Sequence, residues 1–177
     1  LTPEDGSRVA LRGRIDRIDA YTGPDGLYLR VVDNKSSQKK LDAAKIMTGE
    51  QLQLLLYLKA ALTGIRDSKP AAALYFPVMD PDVSIPEDDP DQAEDVRAKA
   101  LRMKGVVLAD PDVVEALDRD NPYSIGKVFN KDGSVCKDAE WAMNGKTLEK
   151  LMDAASQKAE QLCTEMRRGD IQISPTG

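Results

Sequence analysis

Between residues 8 and 18 apolar and polar positions alternate, with Val9, Leu11, Gly13 and Ile15 on one face, the pattern of a half-buried β-strand. A Gly-Pro-Asp-Gly turn lies within residues 21–26, and a second apolar, β-branched run covers 27–33, so the two runs predict an antiparallel hairpin. The period then changes. From 43 to 63 the chain is apolar nearly all round (Ile46, Met47, Leu52, Leu54, Leu55, Leu58, Leu62), which predicts one long helix packed on more than one side. Residues 71–78 read as a strand, with Pro77 placing its end at a sheet edge or bulge. A Pro- and acid-rich connector follows over 84–92, then short helices over 93–103 and 111–117, and a hairpin over 127–136 centred on Asp132-Gly133. The most regular amphipathic helix is predicted for 146–168, with Arg167 and Arg168 in its last turn and Gly169 after it.

These elements describe an α/β protein, a central mixed sheet flanked by helices. Residues 1–83 would carry the core of the site and 84–177 would complete the same domain. A chain of 177 residues can bury one sizeable core. No apolar run approaches the roughly 20 residues needed to span a bilayer, and no signal-peptide pattern opens the chain, which points to a cytoplasmic domain. In that compartment Cys136 and Cys163 are expected unpaired. Cys163 falls on the apolar stripe of the last helix and is expected to be a buried thiol.

Chemistry concentrates in the first third of the chain. With period two, Asp33 and Lys35 project to the same side of their strand, and Asp16, near the end of the partner strand, can meet Asp33. Two converging carboxylates with an ammonium nearby are costly unless a cation neutralises the acids, and an oxygen-lined pocket of this kind suits Mg²⁺ or Mn²⁺ and not zinc. Gln53 and Tyr57 stand four apart on one helix face, a polar pair that needs partners within an apolar helix. Taken singly, an Asp closing a strand is turn chemistry and Asp-x-Lys is a solvated pair. Their order in a strand–strand–helix context is more specific.

The segments Gly13-Arg14-Ile15-Asp16, Val32-Asp33-Asn34-Lys35 and Gln53-x-x-x-Tyr57 together resemble the RecB-like branch of the PD-(D/E)XK nucleases. Within it they are similar to the C-terminal nuclease domains of the AddB type, found in bacterial helicase–nucleases that process double-strand breaks. Met103-Lys104-Gly105-Val106-Val107-Leu108 and Gly169-Asp170-Ile171-Gln172-Ile173-Ser174-Pro175 resemble later segments of that family. The resemblance is dense between Gly13 and Leu62 and loose from Ser84 to Asn144.

It implies a restriction-endonuclease-like core that hydrolyses DNA phosphodiesters. Asp16, Asp33 and the main-chain carbonyl of Asn34 would hold Mg²⁺, or Mn²⁺ in its place. Lys35 would act as the catalytic cation, and Gln53, Tyr57, Arg14 and Lys39 would bind DNA, expected to be single-stranded. It also implies a helicase–nuclease partner subunit and, in the longer protein, a 4Fe-4S cluster. The chain departs from the family in carrying Asn34 where an aromatic is usual, and in having no histidine. It is too short to include the family's first core helix or its cysteine cluster, and so looks like a domain cut from a larger protein.

The formal charge of −5 is unusual for a DNA-binding protein, but residues 1–45 hold nine Lys or Arg against seven acids, a local balance of +2. Affinity for DNA comes from local phosphate neutralisation and not from the global sum. Two other readings remain at this point: a stand-alone exonuclease of the same branch, and a catalytically silent DNA-binding or scaffold domain. Two retained, unneutralised carboxylates weigh against the second.

Overall fold

The computed structural model describes residues 1–83, 90–118, 124–139 and 141–170. Most of the acidic connector (84–89), Asp120 and the tail from Ile171 lie outside the described residues. Five strands form one sheet in the order β1(Arg17–Gly23), β2(Gly26–Lys35), β3(Ser68–Pro77), β4(Lys104–Leu108) and β5(Ala142–Met143). Pairing is antiparallel for β1–β2 and β3–β4, and parallel for β2–β3 and β4–β5, so the sheet is mixed as expected.

The first hairpin forms, with Pro24 and Asp25 between Gly23 and Gly26, whose φ of 125° requires glycine. The strand proposed for residues 8–18, however, begins only at Arg17. The hairpin register sets Arg17 opposite Val32, and three further steps would set Arg14 opposite Lys35, the last residue of β2. Residues 8–13 therefore have no neighbouring strand to pair with, and their alternation is spent on an irregular, mostly exposed segment with Leu11 55% exposed.

The helix expected over 43–63 is two helices, α1(Ala43–Thr48) and α2(Gln53–Gly64). Gly49 stops the first: at φ 95° its N–H turns back to the carbonyls of Ile46 and Lys45. Gln51 then stabilises the break from a buried position, accepting from Asp42 N at 2.8 Å and donating to Lys40 O at 3.2 Å. The kink makes Gln53 the first residue of α2 instead of a mid-helix residue.

Helices cover both faces. On one, Leu29, Val31, Ala73 and Val106 pack against Leu54, Leu55 and Leu58 of α2 and Leu148, Met152 and Ala155 of α5(Gly145–Arg167). On the other, Ala72, Leu74 and Val107 meet Ile125 and Val128, and Tyr28 and Ala71 meet Val113 of α4(Pro111–Asp118). Residues 71–75 are consequently all buried, as a central strand covered on both sides must be. Pro77 closes β3 beyond its last pair with β4, at Tyr75, so it marks a strand end and not an edge strand. Pro70 sits at the irregularity opposite Leu29 and Arg30, where a ladder donor is dispensable.

The short helix expected at 93–103 starts three residues earlier, as α3(Pro90–Ala100). The 127–136 hairpin reduces to one bridge, Phe129 with Val135, around Gly133 at φ 82°. Both cysteines are free; Cys163 is half-buried and not the core thiol expected, since in the last turns of α5 the buried position is Thr164 and Met166 is 70% exposed. Residues 2–5 lie along that same end of α5. Thr2 N donates to Glu160 Oε1 (3.1 Å), and Arg167 and Arg168 pair with Asp5 and Glu4, each at 2.7 Å. Hydrogen bonds from Ser7, then the Arg167 guanidinium, hold the Asp5 carboxyl down to about 2.

Candidate active site

β2 builds the site by continuing its own periodicity. Leu29 and Val31 face α2, and Asp33 and Lys35 follow on the same face where the hydrophobic core runs out. Asp33 is only 5% exposed. The hairpin register, extended one step past Arg17–Val32, would set Asp16 directly opposite Asp33. Asp16 lies just before β1 and not within a strand, yet its Oδ2 accepts from the main-chain N–H of Asn34 at 2.9 Å. The acid expected from the first strand is thus held one main-chain step from the acid of the second.

Lys35 Nζ stands 2.5 Å from Asp33 Oδ2 and 3.4 Å from Gln53 Oε1, and Gln53 Nε2 donates to the Tyr57 hydroxyl at 3.0 Å. The Gly49 break matters here, because it sets Gln53 on the turn of α2 that faces the end of β2. Asp33 Oδ2 is buried and accepts no hydrogen bond, so its contact with Lys35 is a charge pair without hydrogen-bond geometry. A buried carboxylate needs such a countercharge, and the lone pairs that Lys35 does not engage leave room for a second cation beside it.

Tyr75 is a member of this group that the sequence did not single out. It lies opposite Asp33 in the β2–β3 register, with the ammonium groups of Lys35 and Lys39 at 5.7 and 5.4 Å from its ring centroid. Burial, and then the Asp33 charge, push its phenol up to about 12, so it stays neutral at ordinary pH. Its only sequence signal was membership of an apolar strand, since the contact depends on a parallel register that passes through a bulge. Of the other candidates, Asn34 is exposed, and Arg14 is exposed on the segment that leads to Asp16.

The oxygen donors available are the Asp16 and Asp33 carboxylates and nearby main-chain carbonyls. No group of three or more His, Cys, Asp or Glu side chains forms a metal cage among the described residues. Such a set fits a hard cation that keeps several of its waters, as Mg²⁺ does, better than one needing a full protein shell.

Gly13 fixes the far side of the site. A Cβ there would stand 2.8 Å from the Tyr57 ring and hydroxyl. Gly13→Ala should therefore displace the Tyr57 ring, which can rotate, at a stability cost of about 1 kcal/mol or less. If Tyr57 positions substrate, cleavage should fall by about tenfold or more; unchanged cleavage with a shifted Tyr57 would remove it from the substrate-binding group.

The mixed sheet with helices on both faces thus brings Asp16, Asp33 and Lys35 together beside the ends of two paired strands. The chain belongs to the PD-(D/E)XK nuclease superfamily, whose family model matches residues 2–177. It is 35% identical over 184 residues to the ATP-dependent helicase/deoxyribonuclease subunit AddB of Clostridioides difficile, covering 97% of this chain and 16% of that protein. The proteins of the same name from Clostridium tetani (over 179 residues) and Moorella thermoacetica (over 181 residues) are each 37% identical, covering 96% of this chain and 16% of theirs. The chain thus spans about a sixth of the length of these relatives. Nucleases of this superfamily generally use divalent metal ions.

Proposed function

We propose that this chain is the nuclease domain of an AddB-type subunit: a Mg²⁺-dependent deoxyribonuclease that cuts single-stranded DNA within a helicase–nuclease processing double-strand breaks in the cytoplasm. The observation that carries this reading is the buried Asp33 carboxylate, its Oδ2 without a hydrogen bond, set against Lys35 and one main-chain step from Asp16. The names of the relatives support the larger assembly, in which an AddA-like subunit would be the partner. No helix among the described residues is long and apolar enough to cross a membrane.

Asp16, Asp33 and the Asn34 carbonyl would hold the ion; Mn²⁺ has the same preference for oxygen ligands. When bound, the ion would supply positive charge against the scissile phosphate and acidify water at the site. Lys35 Nζ would orient the attacking water and place a second positive charge beside the phosphorane as it forms. Gln53 and Tyr57, already hydrogen-bonded to each other, would position the strand's backbone. Lys39 and Arg14 would neutralise phosphates on either side of the cut. The neutral Tyr75 adds no anion to the floor of the site. A 4Fe-4S cluster would be held by cysteines elsewhere in the longer protein. Cys136 is engaged with Asn130 Oδ1 at 3.2 Å in its hairpin, and Cys163 lies on α5, so the two do not form a ligand group.

The purified chain should fold, since its sheet and helices close their own core, yet show little or no nuclease activity. It has no histidine to complete the metal shell, and the basic patch around its site is small. An assay on single-stranded DNA at low salt with Mg²⁺ or Mn²⁺, alongside calorimetric titration with Mn²⁺, tests both halves. We expect weak Mn²⁺ binding that Asp33→Asn removes. Robust cutting that Lys35→Ala stops would disprove dependence on the longer protein while strengthening the nuclease reading. Mn²⁺ binding unaffected by Asp33→Asn would count against the metal site itself.

A further inference from the structure

A crevice of about 900 Å³ opens beside the site, between residues 40–42, α1, the start of β4 and the segment from Trp141 to Met143. Its size is within the range of about 300–1,000 Å³ typical of small-ligand sites. Register ties it to the reaction centre: Asp33 is opposite Tyr75, and Tyr75 is opposite Lys104. At about 4.8 Å per strand step, Lys104 begins roughly 10 Å from Asp33. Lys104 Nζ donates to Gln38 Oε1 at 2.8 Å and so fastens the loop that carries Lys39 and Lys40 between site and crevice.

The lining is basic above and apolar below. Lys40, Lys45, Arg102 and Lys104 face two carboxylates, Asp42 and Asp138. The Asp42 carboxylate is already engaged, capping α1 by accepting from Ala44 N at 2.8 Å. Arg102 Nε is buried and has no hydrogen-bond partner, a donor in want of an acceptor. Neither Lys40 nor Lys45 makes an ion pair among the described residues. Half-buried Trp141 and Met143 form the apolar wall, and the indole lies so close to Gly126 that a Cβ there would be 3.3 Å from Trp141 Cζ2.

We propose that this crevice seats a nucleotide of the single strand running to or from the cleavage point. Its phosphates lie on Lys40, Arg102 and Lys104 and its base stacks on Trp141. The inference rests on the reading of the chain as a DNA nuclease and extends it by a second binding position. Lys39 over the Tyr75 ring and Lys104 opposite Tyr75 in the register set cations between the two places, which favours a polyanion that passes through both. An aromatic wall beneath phosphate-binding cations is the arrangement that holds single strands without reading sequence.

Trp141 is the chain's one tryptophan, so its emission reports the crevice directly. The test titrates the whole chain, in EDTA to prevent cutting, with oligothymidylate of about 12 nucleotides, reading Trp141 fluorescence and the anisotropy of the labelled oligonucleotide. Saturable, salt-sensitive quenching is expected. Arg102→Gln and the surface variant Lys40→Gln should each raise Kd by about threefold or more. Trp141→Ala should raise it by about tenfold, with Trp141→Phe restoring most of the loss. Binding seen by anisotropy with unchanged Trp141 emission overturns the proposal, as does no binding at all. Equal quenching by duplex DNA overturns the single-strand assignment, and equal quenching by a polyglutamate peptide assigns the crevice to a protein segment instead. Asp33→Asn separates the two readings: it should abolish metal-dependent cutting by the intact helicase–nuclease and leave the quenching of the chain intact. Quenching without cutting in any context would defeat the nuclease reading alone.

Discussion

Asp33→Ala, introduced into the intact helicase–nuclease with the partner's own nuclease silenced, should lower metal-dependent strand cleavage by about a thousandfold while leaving unwinding intact. Folding should not suffer. Asp33 is buried with its Oδ2 against the Lys35 ammonium at 2.5 Å, so its removal takes away a buried carboxylate and its charge pair together. Lys35, a quarter exposed, can turn its ammonium to water once the carboxylate is gone. The melting temperature is therefore expected to change little, as for a residue retained for chemistry. Cutting at the wild-type rate would sink the assignment, and a steep fall in melting temperature would show that the Asp33–Lys35 pair is structural.

The second large effect concerns the sheet. A Cβ on Gly105 would lie 2.1 Å from the main-chain oxygen of Ala73, a contact with backbone in the middle of the β3–β4 pair that no rotamer change relieves. Gly105→Ala should cost about 3–5 kcal/mol, either by prising β4 from β3 or by distorting both. Gly133→Ala is the control. Nothing lies within 4 Å of its Cβ position, and only its φ of 82° opposes the change, so about 1 kcal/mol is expected. Urea denaturation of the two variants decides between them; a loss below about 1 kcal/mol for Gly105→Ala would mean that the β3–β4 pairing yields more readily than its geometry implies.

What could be read from the sequence followed from how strictly each element obeys one period. The 23-residue α5 keeps a helical stripe over six turns, and β2 keeps period two up to Lys35, so both elements and the shared face of Asp33 and Lys35 were legible. The alternation of residues 8–13 was equally regular and misleading, because a strand also needs a neighbour and β2 ends too soon to provide one. The apolar run from Ala43 concealed a break that only Gly49 announced. β4, a run of Gly-Val-Val buried on both faces, and the two-residue β5 have no alternation to detect. Within the candidate site, Tyr75 joins through cross-strand register, which composition and spacing do not encode.

The clasp between residues 2–5 and the end of α5 also bears on the order in which the molecule assembles. Its hydrogen bonds join residues 158 to 164 apart in sequence, close to the greatest separation the chain allows. Contacts that distant repay their loop-closure entropy only after the intervening sheet has already brought the two ends together. The clasp is thus the last piece to lock during folding and the first to loosen. Carried mostly by exposed ion pairs, it contributes little to stability, so the sheet and its helices can keep their shape whether the clasp is closed or open.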